Sequence, residues 1–202
     1  MLIEVSEGEV MDRLTILEIK YNNITDEQRL VEIKKEMDTL SFIYNTKNKY
    51  MLYYKLLYYV NKQIWDTTDD IKCNTDLDNT YAIKSHYIFE CNQQRFRMKN
   101  SINLLAKSYI KEQKSYPTCR ITYYPLHDAT KMDILCNLIY MVLIYDHVSF
   151  CGKNAEDISL VSKYIPSVCV INQCNNNECR SIDIPCDLRT SLLDIISSIY
   201  AE

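Results

Sequence analysis

The scarcity of glycine limits this chain more than any other feature of its sequence. Only two of its 202 residues are glycine, Gly8 and Gly152, and they lie far apart. A loop that holds a phosphate group through its backbone amides needs glycine, because a side chain would block the close approach. The sequence therefore lacks both the Walker phosphate loop and the dinucleotide-binding fingerprint.

Charge and hydropathy argue against two further classes of protein. The formal net charge is -4, whereas a protein that binds nucleic acid through a basic face carries an excess of lysine and arginine. The longest apolar stretch, residues 134–145, contains Asn137 and is too short to span a bilayer. We therefore expect no nucleic-acid partner and no membrane span.

The nine cysteines bear on both the compartment and metal binding. Residues 1–10 are acidic and lack the basic cluster of a signal peptide. We therefore expect a cytoplasmic protein, or one of a host cytoplasm or virion if the chain is viral, with its cysteines present as thiols. A zinc site would draw on four of them, Cys169, Cys174, Cys179 and Cys186. Because these four contain no CxxC pair, we expect no metal and no cofactor.

The amino-acid composition of the sequence changes at Tyr116–Pro117. All four prolines and seven of the nine cysteines follow this point. Proline also disfavours helix in the residue before it. We therefore predict a helical domain over residues 1–116 and a second domain over residues 117–202.

Apolar residues three and four positions apart predict helices in the first domain. Ser6 and Glu9 have the spacing of a capping box, and Thr25–Gln28 repeats that spacing. A polar break is predicted at residues 45–49. Short connections between long apolar stripes favour antiparallel neighbours, and hence a helical bundle or an extended hairpin. The stripes cover residues 10–24, 30–44, 50–64 and about 81–111.

The second domain alternates short apolar segments with amphipathic ones. This alternation is typical of βαβ units and predicts a small α/β lobe with a mostly parallel sheet of three or four strands. The whole chain is then α+β. The predicted strands are residues 120–124, 148–151, 168–171 and 182–184, and the predicted helices are residues 132–145, 155–164 and 188–200.

The first domain resembles a small helical family of unknown function over about residues 3–116. The family occurs in bacteria, often beside glycosyltransferase and surface-polysaccharide genes, and in giant DNA viruses. The resemblance therefore implies a context in glycan synthesis and supplies no catalytic residue. Gln93 departs from the family, which tends to have aspartate there. The matching motifs are Gly8–Lys20, Ile24–Asp26, Asn61, Trp65–Asp66, Asp69–Lys72, Asn92, Arg95, Met98–Lys99, Ile102–Asn103 and Glu112–Tyr116.

The second domain resembles, in the order of its elements, the first half of a two-domain (GT-B-like) glycosyltransferase. Such a half opens with a strand, a glycine-rich loop that ends in aspartate, and a helix. Residues 124–133 take that place here, and they contain no glycine. The half that binds the nucleotide-sugar donor in such enzymes has no counterpart in this sequence. We therefore expect a lone α/β lobe.

Polar residues within the helical stripes form the candidate binding set. Asp66, Asp69 and Asp70 share one helix face. Their clustering suits a site for a hard cation, a solvated helix end, or ion pairs with Arg95 and Lys99. We favour the ion pairs, with Trp65 beside the last part of the fourth helical region. Glu9, Asp12 and Arg13 suit either a docking edge or an ordinary charged face. The set is Glu9, Asp12, Arg13, Trp65, Asp66, Asp69, Asp70, Asn92, Arg95, Lys99 and Asn103.

Candidates for acid–base chemistry follow the first predicted strand. His127, Asp128 and Asp133 lie there, and ligands gather at the carboxyl ends of parallel strands. A solvated polar loop has the same composition. We therefore expect a non-catalytic interaction protein whose partner is another protein or a second copy of the chain. The alternative is a divergent glycosyltransferase, or a subunit of one, and a structural virion component has the same sequence features.

Overall fold

The computed structural model shows a mostly helical chain with a small parallel sheet, an α+β fold. The chain divides into two compact units, Met1–Glu112 and Gln113–Glu202. The predicted boundary at Tyr116–Pro117 lies outside the described residues. The structure describes residues 3–73, 79–110, 112–113, 118–152, 154–171 and 183–200.

The first unit is helical. α1 packs against α2, α4 and α5, and α4 packs along α5. Asp70 pairs with Lys84 and Gln63 with Tyr87, so α4 and α5 run in opposite directions. The helices are α1 (Glu7–Asn23), α2 (Glu27–Thr39), α3 (Tyr44–Lys47), α4 (Met51–Cys73) and α5 (Asn79–Ala106).

The polar break predicted at residues 45–49 is wrong. Single 3-10 turns at Ser41–Ile43 and Asn48–Tyr50 flank α3, and α4 follows directly. No proline or glycine interrupts this stretch, so helical turns continue through it. α5 likewise passes Asn92 without a break.

The core of the first unit lies where α1, α4 and α5 meet. Its apolar positions recur three and four residues apart, as expected for one face of each helix. Burial of each leucine of this kind contributes about 1.5–3 kcal/mol. Fully buried members are Met11, Leu14, Leu17, Leu56, Leu57, Val60, Met98 and Ile102.

Beyond this core, α4 and α5 continue as a two-helix extension, here called the arm, formed by residues 62–73 and 79–90. None of the described residues of the arm is buried. Asn61 is the last buried residue of α4, and Cys91 is the first buried residue of α5. The arm therefore projects past the point where α1 covers the helix pair.

The second unit contains three parallel strands in the order β1–β2–β3. α6 packs against β2 and α8, and α7 packs against β3 and α6. Asp183 and Ile184 of the predicted fourth strand form no strand, and Ile182 lies outside the described residues. The elements are β1 (Arg120–Tyr123), α6 (Lys131–Ile144), β2 (His147–Cys151), α7 (Ala155–Tyr164), β3 (Cys169–Ile171) and α8 (Cys186–Tyr200).

The expectation that every cysteine is a thiol is wrong for Cys151, which is disulfide-bonded. Sequence spacing alone does not show which cysteines meet in space. Cys169 and Cys186 are free thiols, while Cys174 and Cys179 lie outside the described residues. Within the described part of the chain, no group of three metal-binding side chains comes together, and no helix there is long and apolar enough to cross a membrane.

Candidate functional site

Asp12 and Arg95 form the centre of a polar network between α1, α4 and α5. Arg95 Nε donates to Asp12 Oδ1 at 2.8 Å, and Arg95 Nη2 donates to Oδ2 at 2.5 Å. The Asp12 side chain is 3% exposed and that of Arg95 is 28% exposed. The hydrogen bonds that Arg95 donates to Asp12 raise the pKa of Arg95, so the guanidinium keeps its charge. A bidentate contact of this kind fixes the orientation of both side chains.

Asn61 brings α4 into the network. Its Nδ2 donates to Asp12 Oδ1 and to Thr15 Oγ1, both at 2.8 Å. The Thr15 hydroxyl in turn donates to the backbone carbonyl of Asp12 at 2.8 Å. Asn61 and Thr15 are both buried. One carboxylate thus holds three helices, and a buried polar atom left without its partner costs about 1–3 kcal/mol.

Lys99 lies one helical turn beyond Arg95 and holds two carboxylates. Its Nζ is 2.6 Å from Glu9 Oε1 and 2.6 Å from Glu112 Oε2. Burial acts to lower the pKa of Lys99, but the hydrogen bonds with Glu112 and Glu9 outweigh it, so the pKa is raised. The ammonium group therefore ties α1 to the segment that follows α5.

The start of α1 lies directly against α5. The Gly8 amide donates to Asn103 Oδ1 at 2.8 Å. A Cβ at Gly8 would lie 2.4 Å from the Lys99 carbonyl oxygen and 2.7 Å from Asn103 Oδ1. Glycine is therefore required for this approach, because no side chain fits between the two helices. Sequence reasoning missed this role. The available signal was that Gly8, one of only two glycines in the chain, lies in the first turn of a predicted helix.

The network brings together five of the eleven candidate binding residues, namely Glu9, Asp12, Arg95, Lys99 and Asn103. Two more candidates lie outside it on the surface. Arg13 pairs with Glu36 of α2 at 2.5 Å, and Asn92 Nδ2 donates to the Ile88 carbonyl of its own helix at 2.9 Å. Glu9 and Asp12 are thus packing partners within the fold, whereas Arg13 lies on a charged face.

The predicted ion pairs of the α4 aspartates with Arg95 and Lys99 are wrong. Lys84, the partner of Asp70, precedes Arg95 by eleven residues, which is about 16 Å along a helix. The aspartates therefore lie on the arm, while Arg95 and Lys99 face α1. The aspartates pair with nearby lysines: Asp66 with Lys62, Asp69 with Lys72 at 3.4 Å, and Asp70 with Lys84 at 2.6 Å.

The predicted neighbourhood of Trp65 is wrong for the same reason. Trp65 is half-buried and lies between Gln63 and Asp70 on α4. Their partners, Tyr87 and Lys84, are in the first third of α5. Because the two helices are antiparallel, Trp65 lies beside the start of α5, away from its last part.

The acid–base candidates of the second unit do not converge. His127 and Asp128 are exposed in a turn after β1. Asp133 accepts hydrogen bonds from the Thr130 hydroxyl at 2.6 Å and from Arg189 Nη2 at 2.5 Å. The Thr130 hydrogen bonds, with a smaller contribution from Arg189, lower the pKa of Asp133. Asp133 is therefore a charged partner of Thr130 in the capping box of α6 at neutral pH, which does not suit a general acid.

A family model matches residues 1–132, about two thirds of the chain. The match covers the first unit and continues through β1 and the turn that holds His127 and Asp128. No curated protein and no solved structure matches the chain. All the residues of the polar network lie within the matched region. The chain belongs to the family described as a family of unknown function (DUF6165).

Proposed function

We propose that this chain is a non-catalytic interaction protein, an accessory component that binds another protein through the arm. The supporting observation is the exposure of apolar side chains there. Ile83 is 69% exposed and Phe89 is 51% exposed, and no described residue of the arm is buried. Association with a partner would remove such exposed apolar side chains from water, which favours binding.

The polar network supports the same proposal. Asp12, Arg95 and Lys99 are engaged with partners inside the first unit. Within the network, three carboxylates face two cations, so its charges largely cancel. In this proposal the network holds α1, α4 and α5 in register, and the arm presents the binding surface.

The alternative, a divergent glycosyltransferase or a subunit of one, has less support from the geometry. Its base would come from His127, Asp128 or Asp133, and Asp133 is engaged with Thr130 and Arg189. Every residue from 126 to 131 carries a side chain, which opposes close approach of a donor pyrophosphate to the backbone. An accessory protein needs neither feature.

The biological setting of the proposal rests on the sequence resemblance. On that basis we propose that the chain acts in glycan or surface-polysaccharide synthesis, in a bacterial or host cytoplasm or in a virion, with a glycosyltransferase as the expected partner. A second copy of the chain is a further partner of the same kind, because the exposed apolar residues would be buried equally well by a second arm.

A co-purification experiment with matched variants tests the proposal. The full chain is tagged, expressed in its native cell and cross-linked, and bound proteins are quantified by mass spectrometry. The arm variant carries Ile83→Glu and Phe89→Glu. The control carries Val31→Glu on α2, where the native side chain is 53% exposed. Circular dichroism verifies that both variants fold.

We expect a glycosyltransferase among the proteins captured by the wild-type chain and the Val31→Glu control, and its loss with the arm variant. Equal capture by all three chains would contradict the role of the arm. Sugar-transfer activity of the purified chain alone would contradict the non-catalytic assignment and favour the enzyme.

A further inference from the structure

The sheet of the second unit has two chemically different faces. Side chains alternate along a strand, and residues paired across parallel strands share a face. One face holds Tyr123, Val148 and Phe150, which are buried. The opposite face, here called the polar face, holds Arg120, Thr122, His147, Ser149 and Cys169 toward the amino ends of the strands, and Cys151 and Ile171 toward their carboxyl ends.

A cavity of about 440 Å³ lies on this polar face. The five polar-face residues at the amino ends line it together with Ser167 and with two apolar residues of the opposite face, Ile121 and Val148. Its volume lies within the range of small-molecule sites, about 300–1,000 Å³. Arg120 and His147 are the first residues of β1 and β2. The cavity is therefore at the amino ends of the strands, at the opposite edge from His127 and Asp128.

Among the residues that line the cavity, Arg120 carries the formal charge, and it is positive. Arg120 and His147 are register partners, so their backbones are about 4.8 Å apart. Within the described residues, neither side chain has a carboxylate partner. The adjacent Asp146 is engaged, because its Oδ2 accepts from the Cys119 amide at 2.9 Å. Arg120 thus supplies a positive charge to the lining, which also contains the His147 imidazole and the hydroxyls of Thr122 and Ser149.

We propose that this cavity binds the phosphate group of a small phosphorylated polar molecule, with Arg120 as its charged anchor. The planar guanidinium matches two phosphate oxygens, and the hydroxyls of Thr122 and Ser149 donate to the remaining oxygen. The cavity volume exceeds that of a phosphate group, so it also has room for the organic part of a small ligand. This site goes beyond the proposed function, because the arm belongs to the other unit.

Calorimetric titration of the full chain tests the site, in buffer of physiological ionic strength to limit nonspecific charge effects. The probes are glucose 1-phosphate, inorganic phosphate and glucose. We expect saturable binding of both phosphates, tighter for glucose 1-phosphate, and none for glucose. Arg120→Gln weakens binding of glucose 1-phosphate at least about tenfold, because a charge-assisted pair of hydrogen bonds is lost.

Two further variants keep the test sharp. Ser149→Val removes one hydroxyl but keeps a residue that suits a strand, and we expect it to weaken binding by a smaller factor than Arg120→Gln. Arg29→Gln makes the same change of charge at an exposed position of α2, and we expect it to leave binding unchanged. If Arg120→Gln fails to fold, Ser149→Val and Thr122→Val together provide the test.

Three results would overturn the proposal. The first is the absence of saturable binding of glucose 1-phosphate at millimolar concentration. The second is equal weakening by Arg29→Gln and Arg120→Gln, which would show attraction to overall charge only. The third is equal binding of glucose and glucose 1-phosphate, which would show that the phosphate is not recognised.

Discussion

Replacement of Gly8 by alanine tests the close packing of α1 on α5. The added Cβ would lie 2.4 Å from the Lys99 carbonyl oxygen. That atom belongs to the backbone of α5 and does not rotate away. Restoring an ordinary contact of 3.4 Å requires a separation larger by 1.0 Å (3.4 minus 2.4). The same shift lengthens the bond from the Gly8 amide to Asn103 Oδ1, which is 2.8 Å in the native chain.

The expected free-energy change has three contributions of known size. Overpacking costs about 1–3 kcal/mol, and a buried amide left without its acceptor costs about 1–3 kcal/mol. Alanine is the better helix former, which offsets about 1 kcal/mol. The costs exceed the gain. We therefore expect Gly8→Ala to lower the free energy of unfolding of the first unit by about 3 kcal/mol.

Urea unfolding followed by tryptophan fluorescence measures this change. Trp65 is the only tryptophan and lies on α4, so its signal reports on the first unit. The matched control is Asn92→Ala at an exposed interior position of α5. It gains helix propensity without a clash, and we expect its stability to remain within about 0.5 kcal/mol of the wild type.

The result that would refute this reasoning is a Gly8→Ala chain as stable as the wild type or more stable. Helix propensity would then dominate, and α1 and α5 would not approach as closely as the structure shows.

Two further predictions concern charged side chains, and a third concerns the binding of nucleotide sugars. Because the Thr130 hydrogen bonds and Arg189 lower the pKa of Asp133 from 3.8, its stabilising effect is present above about pH 4. This effect is lost as the pH falls through the lowered value. Asp133→Asn is therefore expected to lower the melting temperature at pH 7, and the difference from the wild type is expected to shrink as the pH is lowered below about 4. Lys99→Met leaves the carboxylates of Glu9 and Glu112 without their shared cation. The free energy of unfolding, measured by urea titration, should then fall by about 2–3 kcal/mol. In calorimetry with Mg²⁺, UDP-, GDP- and dTDP-sugars are expected to bind more weakly than about 10 μM. Tighter binding would support the enzyme.

Sequence patterns predicted regular elements best where local signals agree. α7 was predicted at residues 155–164, and the structure confirms both ends. Asn154 caps its start by accepting from the Asp157 amide at 2.8 Å. α8 begins two residues earlier than predicted, directly after Pro185. Proline is favoured at the start of a helix. Element ends thus follow local chemistry that can be seen in the sequence.

Contacts between helices were not predictable in this way. The spacing of Arg95 and Lys99 shows that they share a helix face, but it does not show which helix they meet. The antiparallel offset of α4 and α5 places the α4 aspartates on the arm, and α1 supplies Asp12 and Glu9 instead. The role of Gly8 likewise depends on a neighbour 95 residues away in sequence.

The most direct test of the account is a double-mutant cycle on Asp12 and Arg95. The free energies of unfolding of Asp12→Asn, Arg95→Gln and the double variant are compared with that of the wild-type chain. We predict that each single change lowers stability by about 3 kcal/mol, because each leaves a buried polar partner unpaired. The double variant should lose less than the sum, with a coupling energy of at least about 1.5 kcal/mol. Effects that add to within about 0.5 kcal/mol would show that the two side chains do not interact, and would contradict the assignment of these residues to a structural network.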